Sequence, residues 1–217
     1  MSYRIMGIVP GQYSGVREYL FSTLAKRHGI VKIFDSGLSK PLRYYSHFKS
    51  YIGTTIALHD LPSHSNQWLQ LTDKNVWRWL KVTELCEQEI KRQKGNIDFV
   101  LQIGSKHGVC KKEPIVPYVV YTDGTRAIAE REYAMFRLWS SEAEKAARMK
   151  LETELYQNAS MVLTFSECAR RSVINDYGIE EGKVATVYAG ANLNEIPSAL
   201  EKNYDKKTIL FCWQGFL

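Results

Sequence analysis

The amino-acid sequence predicts an α/β protein with an open parallel sheet and helices on both of its faces. Short apolar runs alternate with amphipathic helical segments along much of the 217 residues, and most runs end in Gly, Pro or polar turn residues. Residues 4–10, 16–27 and 30–34 are predicted as strand, helix and strand. This order is a βαβ unit, whose right-handed crossover joins parallel strands.

The same alternation continues through the rest of the chain. Long amphipathic helices are predicted over residues 74–94 and 133–158, and a shorter helix at 168–177. The apolar segments between and around them predict an open Rossmann-like sheet of six or seven strands. The further strands are expected at residues 51–58, 97–103, 118–121, 161–165 and 183–188.

The end of the chain differs in composition from what precedes it. Residues 193–207 are polar, contain Pro197 and are predicted as a linker, whereas 208–217 open with a new apolar run. The predicted organisation is a domain over residues 1–192, the linker, and the first strand of a second domain at 208–217.

Composition narrows the class of partner. A hydrophobic fraction of 45% allows a sizeable core, and the net charge of +6 with a pI of about 9.0 suits anionic ligands such as phosphates, sugar nucleotides or acidic lipid headgroups. A solvated basic surface is an equal alternative. No Lys/Arg cluster interleaved with aromatics is visible, so nucleic acid is not expected as a partner.

Cysteine usage and the N-terminal sequence predict a cytoplasmic protein. The four cysteines form no CxxC pair, which favours free thiols. Neither a signal peptide nor an apolar run of membrane-spanning length is visible. No metal is expected, because His59, Asp60 and His64 lack the helical two-His spacing of a zinc site.

Loops at the carboxyl ends of the predicted strands are the candidate ligand-binding segments, since ligands bind there in open parallel sheets. The first loop consists of Gly11, Gln12, Tyr13, Ser14 and Gly15 before a helix N-terminus, which favours a phosphate or a hydroxyl-rich sugar. Its glycine spacing does not match GxGxxG, so a dinucleotide fingerprint is not supported. A tight turn that needs glycine is the alternative.

Three further loops contain polar residues that are candidates for contact with a ligand. Asp123, between Thr122 and Thr125, can accept a proton from a sugar hydroxyl or hydrogen-bond to it; the alternative is a simple Asp-Gly turn. Ser166 and Glu167 can line a ligand-binding cleft at the carboxyl ends of the strands, although capping of the next helix is the favoured interpretation. The loop that begins at Gly104 lines the cleft or is solvated.

The segment 154–192 carries a family resemblance. Its motifs follow in order: Asn158-Ala159, Ser166-Glu167, Tyr177-Gly178-Ile179, Lys183-Val184 and Gly190-Ala191-Asn192. Together they resemble the closing segment of the N-terminal domain in the "group one" family of retaining glycosyltransferases.

The resemblance implies one half of a GT-B architecture, in which two Rossmann-like domains face each other. The N-terminal domain would bind the acceptor, possible forms being a lipid-linked sugar or a polysaccharide at a membrane's inner face. The absent domain would bind the sugar nucleotide, which is the donor substrate, and no metal or other cofactor is needed. Where the family often has a donor-contacting His, this sequence has Thr122-Asp123, so Asp123 is the candidate catalytic residue. This half alone is expected to be nearly inactive.

Two other functional classes remain open on the sequence. One is a non-catalytic α/β module that binds a sugar or phosphate ligand. The other is a complete nucleotide-dependent enzyme of a different Rossmann type, against which the missing GxGxxG argues.

Overall fold

The computed structural model describes residues 1–11, 15–58, 74–137 and 139–190. Within them a six-stranded sheet has the order β2-β1-β3-β4-β5-β6, and all neighbouring strands are parallel. The predicted linker and the predicted strand at 208–217 lie outside the described residues. The strands are β1 (Arg4–Val9), β2 (Gly29–Asp35), β3 (Phe99–Ile103), β4 (Tyr118–Thr122), β5 (Met161–Thr164) and β6 (Val184–Thr186).

Helices connect the strands and cover both faces of the sheet, so the predicted fold class is confirmed. Short 3-10 turns lie at Ala134–Phe136 and Glu181–Lys183. The helices are α1 (Val16–Ala25), α2 (Lys40–Leu58), α3 (Val76–Gln93), α4 (Arg126–Glu132), α5 (Glu142–Asn158) and α6 (Glu167–Asn175).

Side chains of the central strands alternate between two cores, one on each face. Met6 and Ile8 of β1 enter the larger core, which also contains buried residues of α3, α5 and α6. Ile5 and Val9 enter the smaller core with Phe21 of α1. Successive side chains of a strand point to opposite faces, and β1 is apolar on both. Burial of each such side chain contributes about 1.5–3 kcal/mol, so the apolar runs specify a doubly covered sheet.

Glycine at position 7 lets α1 approach β1 closely. A Cβ placed there would lie 2.3 Å from Cζ of Phe21, well inside van der Waals contact. The ring of Phe21 therefore packs directly on the strand backbone, which sets the distance between α1 and the sheet.

Helix α3 confirms the helix predicted over residues 74–94. Its N-cap is Asn75, whose side chain accepts a hydrogen bond from the Arg78 amide. Trp79, Cys86 and Ile90 on its predicted inner face are buried, whereas Leu80 of that face is 40% exposed.

Two secondary-structure predictions were wrong. Residues 51–58 are the end of α2 rather than a strand. The β-branched composition of that run favoured a strand, but the helix begins far upstream, with Pro41 in its first turn, where proline is tolerated.

The helix predicted over 133–158 begins only at Glu142 as α5, and it is preceded by the 3-10 turn at Ala134–Phe136 and the separate helix α4 at Arg126–Glu132. Thr125 and Ser141 each accept a hydrogen bond from a backbone amide in the first turn of the helix that follows, so two N-caps start two helices. The inner face also differs from the predicted stripe, since Arg148, Glu152 and Tyr156 are buried and Ala143 is exposed.

Cys86, Cys110 and Cys168 are free thiols, and Cys212 lies outside the described residues. Among the helices in the described ranges, none is long and apolar enough to cross a membrane.

Candidate functional site

The carboxyl ends of the strands form one edge of the sheet, and backbone hydrogen bonds hold its loops in line. The Gly104 amide donates to the Tyr121 carbonyl at 2.7 Å, which joins the ends of β3 and β4. The Phe165 amide donates to the Thr122 carbonyl at 3.0 Å, which joins β4 and β5. The sheet order also reverses between β1 and β3, where ligands of doubly wound folds bind. We call this side of the sheet the carboxyl edge.

The loop after β1 begins and ends with glycines in the left-handed region. Gly11 has φ 79° and Gly15 has φ 76°, a conformation that other residues adopt only with strain. Gly15 is the N-cap of α1, without a side-chain cap. Gln12, Tyr13 and Ser14 lie outside the described residues. The predicted phosphate or sugar contact of this loop stays a prediction.

The loop after β4 uses its threonine hydroxyls internally. Thr122 is buried, and its Oγ1 donates to the Gly124 carbonyl at 2.7 Å. The Thr125 hydroxyl caps α4 by accepting from the Ile128 amide and lies 2.6 Å from Oγ of Ser172. Asp123 between them is exposed. Both threonines therefore shape the turn that presents Asp123.

Ser166 and Glu167 start helix α6. The Ser166 hydroxyl accepts a hydrogen bond from the Ala169 amide at 3.2 Å, which is the capping role that the sequence favoured. The half-exposed carboxylate of Glu167 lies 3.7 Å from the guanidinium of Arg170. Contacts of either residue with a substrate stay predictions.

The loop after β3 bends sharply into the protein. Gly104 is buried with φ 74°, and Ser105 and Lys106 are at least partly exposed. His107 is then buried, and its Nε2 lies 2.7 Å from Oγ of Ser36, which follows β2. Nδ1 of His107 faces the Gly108 carbonyl at 3.0 Å and must donate to it, so Nε2 accepts from the serine.

Burial keeps His107 neutral. Its pKa is lowered from 6.5 to about 4, mainly by desolvation and also by the nearby charges of Arg148, Arg78 and Lys106. The hydrogen bond to the Gly108 carbonyl opposes this shift. The Ser36–His107 pair is inaccessible to a substrate and ties the loop after β2 to the loop after β3.

A second polar group lies behind the carboxyl edge, on α5. The Glu152 carboxylate is 1% exposed and accepts hydrogen bonds from the hydroxyls of Ser105, Tyr156 and Tyr177, at 2.8, 3.0 and 3.0 Å. One turn earlier, the buried guanidinium of Arg148 lies 3.6 Å from the Trp79 ring centroid. Desolvation lowers the pKa of Arg148 to about 10. Neither residue was predicted from the sequence, because a charged side chain in a helix gives no periodic signal of burial.

Two cavities in the described part of the chain contain none of the predicted ligand-contact residues. One of about 390 Å³ is lined by α3, α5, the amino end of β4 and residues 108–113 of the loop after β3. Another of about 270 Å³ lies between α1 and β2. Neither marks the predicted site. No group of three or more His, Cys, Asp or Glu residues suited to a metal occurs among the residues that the structure describes. His59, Asp60 and His64 lie outside them.

The fold defines a Rossmann-like α/β domain, and comparison with known proteins finds similarity to solved structures. No protein-family profile and no curated protein matches the chain. Among solved structures, a UDP-N-acetylglucosamine 2-epimerase from Rickettsia bellii is similar at 14% identity and a TM-score of 0.44. The match covers 87% of this chain and 45% of that chain. A similarity of this size says nothing specific about the chemistry of the present chain.

Proposed function

We propose that this chain is a sugar-processing α/β domain, and specifically the acceptor-side half of a retaining GT-B glycosyltransferase. The observation that carries the proposal is the carboxyl edge, where the loops after β3, β4 and β5 lie side by side. An open edge at a reversal of strand order suits a ligand held between this domain and a second one.

Asp123 is the candidate catalytic residue of this edge. It is exposed at the end of β4, on a turn whose shape is set by Thr122 and Thr125. A carboxylate in this position can orient an acceptor hydroxyl or take up its proton. In the proposed reaction the acceptor oxygen bonds to the anomeric carbon, the nucleoside diphosphate leaves with the bonding electrons, and the hydroxyl proton is released.

The family-like segment supports the proposal mainly through the architecture. Ala159 is buried at the end of α5, Ser166 caps α6, and Gly178 adopts φ 64° after the buried Tyr177. The resembling residues thus mark the ends of elements in a final strand-helix-strand passage. This supports the type of domain more than the identity of the transferred sugar.

The chain by itself should transfer almost nothing, because catalysis needs donor and acceptor held together between two walls. The test is hydrolysis and transfer with a panel of nucleotide sugars and simple glycoside acceptors, using the 217-residue chain. We expect no turnover. Robust turnover by this chain would overturn the half-enzyme proposal.

Acceptor binding gives the positive test. Titration with mono- and disaccharides, followed by NMR, should show perturbations at the loops after β3 and β4. Asp123→Asn should weaken them, whereas Glu113→Gln, another exposed carboxylate on a loop, should not. Equal behaviour of the two variants would contradict the assignment of Asp123.

A non-catalytic binding module is the second candidate. The hydroxyls of Thr122, Thr125 and Ser166 are all engaged within the protein, which leaves few groups for chemistry on the described loops. This candidate predicts ligand affinity that persists in Asp123→Asn. The proposed membrane-surface acceptor has its own test, co-sedimentation with anionic vesicles at low salt, and no binding would remove it.

A further inference from the structure

A cluster of cations lies behind the loops after β3 and β4. It consists of Lys74, Arg126 and Arg148, which we call the basic cluster. Lys74 and Arg148 are each 1% exposed, and Arg126 is half-buried. Buried cations are rare unless they are paired, so the cluster needs a physical explanation.

Contacts place the three cations together. Nζ of Lys74 and the guanidinium carbon of Arg126 lie 6.0 and 5.6 Å from the centroid of the same Phe136 ring. Arg148 donates to the Ser105 carbonyl at 3.3 Å, and the Ser105 hydroxyl and the Arg126 amide both donate to Oε1 of Glu152. Arg126 and Arg148 therefore flank the Ser105–Glu152 hydrogen bond, and Lys74 shares the Phe136 ring with Arg126.

Several donors of the cluster have no acceptor. Within the described residues, Nε and one Nη of Arg148 and Nε of Arg126 are buried without a hydrogen-bond partner. Most buried polar groups in proteins are hydrogen-bonded, and donors on a charged guanidinium are among the most unfavourable to leave unmatched. These donors suit an oxyanion that supplies several acceptors at once.

Charges around the cluster do not balance. Glu152 is the carboxylate that favours the charged form of Arg148, and Glu130 does the same for Lys74. Glu130 is also 3.1 Å from Nζ of Lys145, and its Oε1 accepts from the Trp139 indole, so it is shared. Desolvation, and then repulsion from Arg126, lower the pKa of Lys74 to about 8. An added anion would relieve that repulsion.

Arg126 is the member of the basic cluster that adjoins the carboxyl edge. Ser105, Gly124 and Arg126 are partly exposed there, whereas Arg148 is 1% exposed. A ligand on this edge would therefore meet Arg126, with the buried charge of Arg148 behind it.

We propose that the basic cluster binds the phosphate group of a phosphorylated ligand held at the carboxyl edge, with Arg126 as the direct donor and the buried Arg148 contributing its charge from behind. The inference rests on the proposed function, because it identifies the residues that bind the phosphate group of the ligand proposed to be held by the sugar-processing domain. The phosphate belongs either to a sugar phosphate or to a nucleotide, and both present the same oxyanion.

The test is calorimetric titration of the 217-residue chain at constant ionic strength. The probes are inorganic phosphate, glucose 1-phosphate, glucose, UDP and UDP-glucose. We expect phosphate and at least one phosphorylated ligand to bind, and the preference between glucose 1-phosphate and UDP identifies the source of the phosphate. Arg126→Gln should weaken binding about tenfold, the loss expected for a charge-assisted contact.

Arg131→Gln is the matched control, since Arg131 lies on the same helix, is exposed and pairs with Glu132 and Asp176. It should bind like the wild type. Arg148→Lys keeps the buried charge but loses the planar donor fork, and should weaken binding less than Arg126→Gln. Circular dichroism shows whether each variant is folded, and Arg126→Gln carries the test if Arg148→Lys is not.

Different results separate the two proposals. No binding of any phosphate probe, or equal binding by wild type and Arg126→Gln, would overturn the basic cluster as a phosphate site. Glucose bound as tightly as glucose 1-phosphate would overturn it as well, and leave the sugar-processing proposal standing. If inorganic phosphate binds in a way that depends on Arg126, and a sugar group adds nothing to the affinity, the basic cluster is supported as a phosphate site. The same result would count against the sugar-processing proposal.

Discussion

Nε2 of His107 accepts a hydrogen bond from Oγ of Ser36 at 2.7 Å, so the loops that follow β2 and β3 are joined across the end of β1. The amide of Ser36 also donates to the Val9 carbonyl at the end of that strand. The reversal point of the sheet is therefore held by buried polar contacts rather than by apolar packing alone.

Acid should destabilise the protein through His107. Its native pKa of about 4 lies below the ordinary 6.5, so between these values the unfolded chain binds a proton that the native protein does not. Stability should then fall by about 1.4 kcal/mol per pH unit from this group as the pH drops through that window. Urea unfolding at several pH values measures it. His107→Gln should have a shallower slope, and parallel slopes would contradict the assignment.

Glu152 should be a major stabilising residue. Glu152→Gln removes a buried charge that accepts three hydroxyl hydrogen bonds and leaves Arg148 without its nearby carboxylate. We expect a loss of about 3 kcal/mol in the free energy of unfolding, measured with urea. Glu154→Gln on the same helix is the control, since its carboxylate is 45% exposed and 4.0 Å from Lys150. Similar losses in both variants would refute a special role for Glu152.

Gly7→Ala should destabilise the protein by overpacking. Its methyl group would lie 2.3 Å from Cζ of Phe21, and we expect a loss of about 1–3 kcal/mol. Phe21→Leu should be less harmful in the Gly7→Ala background than in the wild type, because the smaller side chain makes room. A double-mutant cycle measures this coupling. Additive effects would mean that another contact limits position 7.

Tyr188 adopts φ 57°, in the left-handed region, and its carbonyl accepts a hydrogen bond from the Tyr121 hydroxyl at 2.9 Å. We expect Tyr188→Gly to be about 1 kcal/mol more stable than Tyr188→Ala, since only glycine adopts this φ without strain. At Gly182, whose φ is not in this region, Gly182→Ala should be neutral or mildly stabilising. Thermal unfolding compares the variants, and a Tyr188→Ala variant as stable as Tyr188→Gly would show that position 188 relaxes.

Local signals were sufficient for most elements. The alternation of β1 and the inner face of α3 follow from periodicity, because strands and helices repeat every 2.0 and 3.6 residues. The predictions were wrong where a local pattern favoured a different structure or where a helix N-cap was not recognised. The β-branched run before Leu58 favoured a strand, and the caps at Thr125 and Ser141 went unused. The candidate site residues were predicted to lie at the carboxyl ends of parallel strands from the order of strands and helices. Their contacts with ligands stay predictions.

By itself the sequence determined the parallel α/β fold, because a strand that is apolar on both faces can be buried only between two layers of helices. Tertiary structure alone decided that Arg148, Glu152, His107 and Ser36 lie behind the carboxyl edge. Polar side chains carry no periodic signal of burial, since they can be buried only where partners distant in the chain satisfy their hydrogen bonds.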